Sequence, residues 1–74
     1  MSKYVPMKWE TVFDIPYDYG RWRSDAWAIQ RFWWDDGMWK DNPFFRLYRH
    51  GEFIEQWAHL DDAKAHANRI MNNG

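Results

Sequence analysis

The chain of 74 residues contains no cysteine, only three prolines and four glycines. Without thiols there is no disulfide framework, and a reducing compartment is compatible with the chain. Proline and glycine this sparse leave no linker and no low-complexity tract. Long apolar runs are missing too: nowhere do 18 uninterrupted apolar residues occur, and the opening MSKYVPMKWE lacks the apolar stretch of a signal peptide. A soluble, cytoplasmic protein is therefore expected. Aliphatic hydroxyls are confined to Ser2, Ser24 and Thr11, none of them in a triad-like or glycine-elbow context. Strong charge of one sign is also absent, because ten basic and eleven acidic residues give a net charge of -1. Such a chain neither repels nor recruits a polyanion as a whole.

Bulky rings are what the chain has in excess. Seven tryptophans, four tyrosines and five phenylalanines make 22% of the residues, although the mean hydropathy of -0.89 is that of a polar protein. One small domain, residues 1–74, is expected, and a chain of this length buries roughly 60% of the surface it exposes when unfolded. So slight an interior has little room for sixteen rings. Some are expected to stay outside as anchors for a partner, since Trp, Tyr and Arg dominate interface hot spots.

The clearest pattern lies in residues 44–70, FFRLYRHGEFIEQWAHLDDAKAHANRI, which read as a β-hairpin followed by a helix. Apolar residues alternate over 44–49 and over 52–57, with His50 and Gly51 as a two-residue turn. In that register Arg49 faces Glu52, Leu47 faces Ile54 and Arg46 faces Glu55, so opposite charges and apolar partners meet. Phe45, Leu47 and Ile54 then point to one face; Phe44, Arg46, Tyr48, Phe53, Glu55 and Trp57 point to the other. His59 occupies the N-cap slot of the helix, and Asp61 and Asp62 in its first turn suit the macrodipole. Leu60, Ala63, Ala67, Ile70 and Met71 share one helical side, and Asn72, Asn73 and Gly74 end the helix.

Upstream, residues 7–15 (MKWETVFDI) place Trp9, Thr11, Phe13 and Ile15 at alternate positions, as in a strand with one buried face. Residues 17–24 (YDYGRWRS) read as a loop broken at Gly20. Residues 26–34 (AWAIQRFWW) read as a strand rich in aromatic residues. Residues 35–43, with Gly37 and the Asn42 to Pro43 pair, read as a long loop in which Trp39 is exposed unless it folds back. The expected fold is α+β: a three- or four-stranded antiparallel sheet with one C-terminal helix on one face. The alternative makes residues 24–36 a second helix, capped by Ser24 and stopped at Gly37, giving β-α-β-β-α.

No catalytic or metal chemistry is expected. His50, His59 and His66, with Asp61 and Asp62, are spaced as a turn residue, a cap and a solvated helix residue instead of a converging ligand set. Asp35 with Asp36, and Asp61 with Asp62, are sequence neighbours that diverge from one another on regular backbone. No cofactor is implied, and the chain is expected not to be an enzyme.

Two binding classes remain. In the first, the chain docks on a larger protein and blocks or bridges a site, using Phe44, Arg46, Tyr48, Phe53, Glu55 and Trp57 on one hairpin face, with Trp39 nearby. Small acid- and aromatic-rich chains of this kind resemble, in style, bacteriophage accessory proteins that inhibit host or defence enzymes. In the second, the partner is a nucleic acid, contacted by Arg21, Trp22, Arg23, Arg31 and Arg46 interleaved with aromatic residues. The run LYRHGEFIEQWAHLDDAKAHA resembles the three-stranded-sheet DNA-binding domains of plants and the arm-binding domains of phage integrases. Glu52 and Glu55 would then place negative charge on the reading strands and weaken phosphate contact. Self-pairing through an exposed strand edge is a third route to a partner.

Overall fold

The computed structural model describes residues 7–73. The elements are β1 (Glu10–Asp14), β2 (Gly20–Ser24), β3 (Trp27–Trp33), β4 (Pro43–Arg49), β5 (Glu52–Trp57) and α1 (Leu60–Asn73). Each strand pairs antiparallel with the next, so the sheet is a five-stranded meander ordered as the chain runs. The helix α1 lies against β3, β4 and β5. No helix among the described residues is long and apolar enough to cross a membrane.

This corrects the expected sheet of three or four strands. Residues 17–24 are not all loop: Gly20, Trp22 and Ser24 are buried, and Arg21 and Arg23 are exposed, which is strand periodicity. Gly20 is no breaker there. The Trp22 indole lies so close that a Cβ on Gly20 would sit 2.5 Å from its Cη2, and only glycine admits that approach. The helical alternative for residues 24–36 fails as well, because Trp27–Trp33 is a strand. Ser24 opens a two-residue turn instead of capping a helix: it pairs with Trp27, and Asp25 takes the positive φ of 52°, a region Asp tolerates better than most residues.

The core forms between sheet and helix. Trp22, Trp27, Ile29, Phe45 and Leu47 meet Ala63 and Ala67, with Trp9, Trp57, Leu60 and Ile70 packed at the rim. Two alanines let the helix approach closely, so Ile29 and Leu47 beneath it lose all contact with water, each worth about 1.5–3 kcal/mol of transfer free energy. Met71, expected on the packed side, is exposed, and Gly74 lies outside the described residues. The expected one-sided burial of residues 7–15 is not found either. β1 is an exposed edge strand whose register shifts between Thr11 and Phe13, so the alternation that begins at half-buried Trp9 is lost.

The hairpin turn is as expected, with His50 at φ 52° and Gly51 at φ 81°, the pair of positive angles that a type I′ turn requires. Beyond it the register departs from the expected one. Arg49 opposes Glu52 and Tyr48 opposes Phe53, but then Leu47 opposes Glu55, Arg46 opposes Gln56 and Phe45 opposes Trp57. Ile54 is the extra residue of a β-bulge, which flips every later side chain of β5 to the other face. The expected pairs Leu47 with Ile54 and Arg46 with Glu55 do not form.

Candidate functional site on the open sheet face

Because α1 covers one face of the sheet, alternate residues on the other face have no layer above them. These are Arg21 and Arg23 on β2, Gln30 and Phe32 on β3, Phe44, Arg46 and Tyr48 on β4, and Phe53 and Gln56 on β5. Their rings form a strip. Phe32 stacks on Phe44 with centroids 5.5 Å apart, Trp34 lies 4.4 Å from Phe44, and Phe53 meets Tyr48 edge-on at 6.0 Å. Arg46 lies across the strip, its guanidinium carbon 4.9 Å from the Phe32 centroid, 5.3 Å from Phe44 and 5.6 Å from Phe53. Its Nε donates to Gln56 Oε1 at 3.3 Å. Cation–π contacts at these distances favour the charge over the rings. Phe53, opposite, remains 53% exposed.

Charge is sorted between the two faces, and the bulge accounts for Glu55. Glu52 opposes Arg49 and Glu55 opposes Leu47, so both carboxylates belong to the helix side. Glu55 Oε2 lies 4.0 Å from His66 Nε2, and the Trp57 ring lies 4.9 Å from the His66 ring. On the open face stand Arg21, Arg23 and Arg46, against Glu10, which already pairs with Arg23 at 3.3 Å.

Of the side chains expected on one partner-binding face, the fold brings together Phe44, Arg46, Tyr48 and Phe53. It sends Glu55 and Trp57 to the helix side, where Trp57 packs on the core, and leaves Trp39 in a loop. Of the expected nucleic-acid set, Arg21, Arg23 and Arg46 share the open face and Trp22 is buried in the core. Arg31 is committed elsewhere. Its Nη2 donates to Asp14 Oδ1 at 2.8 Å, to the Ile15 carbonyl at 2.7 Å and to the Tyr19 carbonyl at 2.8 Å. The guanidinium lies with its carbon 5.6 Å from the Trp22 ring and 5.9 Å from the Trp33 ring. It is a strut for the loop between β1 and β2, and its buried Nε has no acceptor. Phe32, Gln30, Trp34 and Gln56 were not expected in the site, although the alternation in AWAIQRFWW already sets Gln30, Phe32 and Trp34 on one side.

Antiparallel pairing gathers the loops at residues 15–19 and 34–42 and the junction at 58–59 at one end of the sheet. The first loop is closed by the Ile15 N–H donating to the Tyr19 carbonyl at 2.7 Å, and Trp33 Nε1 donates to the Asp18 carbonyl at 2.7 Å. Tyr17 at its tip has φ 63° and is 90% exposed. The second loop extends the hairpin through bonds between Trp34 and residues 41 and 42, and Asn42 Nδ2 donates to the Trp39 and Lys40 carbonyls. That ordered backbone presents Met38 at 88% exposure and Trp39 at 62%.

The histidines are dispersed. His50 is in the hairpin turn, the His59 carbonyl accepts from the Ala63 N–H at the start of α1, and His66 is beside Trp57. Among the described residues, no group of three or more His, Asp or Glu is placed to hold a metal ion. No protein-family model, curated protein or solved structure matches the chain.

Proposed function

We propose that this chain is a non-enzymatic binding module that docks a larger protein on the open face of its sheet and acts by blocking or bridging a site on that partner. A single observation carries the reading: the strip of half-buried Phe32 and Tyr48 and exposed Phe53, with Arg46 over it and Phe44 buried beneath, which no further element of the fold covers. Aromatic anchors around a planar cation, edged by glutamines, have the composition of an interface centre and not of a dry core. A partner that seals the strip from water and offers a carboxylate to Arg46 would gain both apolar burial and a charge-assisted hydrogen bond. Occlusion of this kind fits an accessory protein of phage type that inhibits a host or defence enzyme.

A second reading, single-stranded nucleic acid on the same face, gains from Glu52 and the displaced Glu55 both lying on the helix side, which leaves arginines as the main charges there. Two features favour protein over it. Phe32 and Phe44 are stacked on each other beneath Arg46, so they offer no free ring to a base. The loop end carries Asp35, Asp36 and Asp41, which would repel a strand running off the face. The resemblance to three-stranded DNA-binding domains extends to the hairpin and helix only, since β1 and β2 add to the sheet here. Self-pairing of edges is not adopted, because β1 and the β4–β5 ladder both carry register shifts of the kind that blunt edges.

The test compares capture of a host protein by the wild-type chain and by Phe53→Ser, with an oligonucleotide titration alongside. Capture lost in the folded variant supports the reading. Oligonucleotide binding that weakens steeply between low and moderate salt, with no protein captured, would replace it with the second.

A further inference from the structure

The open face carries a polar row that crosses the sheet. Arg21 on β2, Gln30 on β3, Arg46 on β4 and Gln56 on β5 are successive cross-strand partners, and Phe13 on β1 opposes Arg21 at the edge. Arg21 and Arg46 are thus two strand spacings apart, about 9.5 Å at the backbone. Both guanidinium groups lack an acidic partner, because among the described residues the ion pairs engage only Arg23, Arg31 and His66 as cations. Arg21 is exposed, and neither its side chain nor the half-buried Gln30 amide has a hydrogen bond among the described residues.

Two concavities flank the row, and Arg21 and Gln30 line both. The one toward the loop end, about 330 Å³, is lined by Phe13, Tyr19, Phe32 and Trp33, and by Arg31, which Asp14 already engages. The one toward the turns, about 360 Å³, is lined by Ala28 and Tyr48, and by Arg23, which Glu10 already engages. Each holds one aspartate, Asp18 in the first and Asp25 in the second. These two lie before and after β2, at opposite ends of the strands. An acidic chain running along the strands would meet Asp18 at one end and Asp25 at the other; running across them, it passes Arg46, Gln30 and Arg21. A nucleic-acid strand, charged at every phosphate, suits this row less than a polypeptide with carboxylates at two points and a neutral peptide group between them.

We infer that the row receives an acidic segment of the partner protein lying across the strands, with one carboxylate on Arg46, a second on Arg21 and a peptide group on Gln30. An apolar side chain beside the second carboxylate fits the concavity of Phe13, Tyr19, Phe32 and Trp33. The row lies within the proposed docking face, so this role rests on that function; it adds a second anchor, Arg21, and the chemistry of the segment bound.

The test uses the full chain and proline-rich peptides of equal length, in which residues three apart lie on one edge about 9.3 Å from each other. One carries two glutamates at that spacing, one a single glutamate and one two glutamines; a single-stranded oligonucleotide is the fourth probe. Binding is followed by backbone amide shifts. The two-glutamate peptide is expected to shift residues 21, 30 and 46 together and to bind about fivefold more tightly than the one-glutamate peptide, the worth of one more charged pair at an exposed site. Arg21→Gln, at an exposed position and checked by an unchanged melt, should remove that difference, and Arg69→Gln on α1 should keep it. Equal binding of the two glutamate peptides, a difference that survives Arg21→Gln, or tighter binding of the oligonucleotide at the same residues would each overturn the inference. Should capture of a host protein depend on Phe53 while these peptides fail, the docking face stands and the Arg21 anchor alone falls. Capture indifferent to Phe53, with the peptides behaving as expected, fails the proposed function and keeps the row.

Discussion

Replacing Gly20 with alanine tests the packing that places every element around the site. A Cβ there would lie 2.5 Å from Trp22 Cη2, 2.9 Å from Cζ3 and 3.1 Å from Arg31 Cζ, against about 3.4 Å for ordinary contact. The indole is 4% exposed and faces Phe45 at 5.9 Å, so it cannot swing away without disturbing the core. The guanidinium is held by its three oxygens and has little more freedom. Overpacking of this kind costs about 1–3 kcal/mol, partly offset by roughly 0.4–1 kcal/mol from the stiffer unfolded chain. The net loss is therefore about 1–2 kcal/mol, equivalent to a Tm lower by roughly 5–15 °C for a chain of this size. Urea and thermal melts followed by far-UV dichroism and tryptophan fluorescence would measure it. A Gly20→Ala protein as stable as the wild type would show that the indole does not cover Gly20 and that β2 is packed otherwise.

Other outcomes follow from the same contacts. Arg31→Lys keeps the charge but cannot reproduce the forked donation to Asp14, Ile15 and Tyr19; a loss of about 1–2 kcal/mol is expected, with faster amide exchange at Asp18 and Ile15. Trp57→Ala should destabilise the fold by about 3 kcal/mol, because its ring packs on the core. A melt unchanged by it would return Trp57 to the open face. Phe53→Ser should cost no more than about 1 kcal/mol, since the ring is half exposed and its loss leaves the other face untouched.

Much of this architecture was legible in the residues, and the failures have identifiable causes. The hairpin turn at His50 and Gly51, the helix from Leu60 and the strand through Trp27–Trp33 follow from turn chemistry and periodicity. β2 was hidden because Gly20 resembles a breaker until the indole above it is known; the alternation of Trp22 with Arg21 and Arg23 was the available signal. The bulge at Ile54 has no local signature, and it alone moved Glu55 and Trp57 off the expected face. β1 misled because an edge strand needs no buried side, so the alternation from Trp9 to Ile15 carried no packing information. Arg31, expected to contact a ligand, is occupied by carbonyls of a loop whose fold was not readable from composition. Phe44, Arg46, Tyr48 and Phe53 were grouped correctly because they lie on β4 or on the turn side of the bulge.

Docking on the open sheet face is tested most directly by a photo-cross-linking amino acid placed at position 53 and, in a second protein, at exposed position 65 on α1. Irradiation in an extract of the host cell should attach one protein at position 53, in competition with unlabelled wild-type chain, and none at position 65. Attachment at position 65 with none at position 53 would put the partner on the helix side and leave the Arg46 strip as ordinary surface.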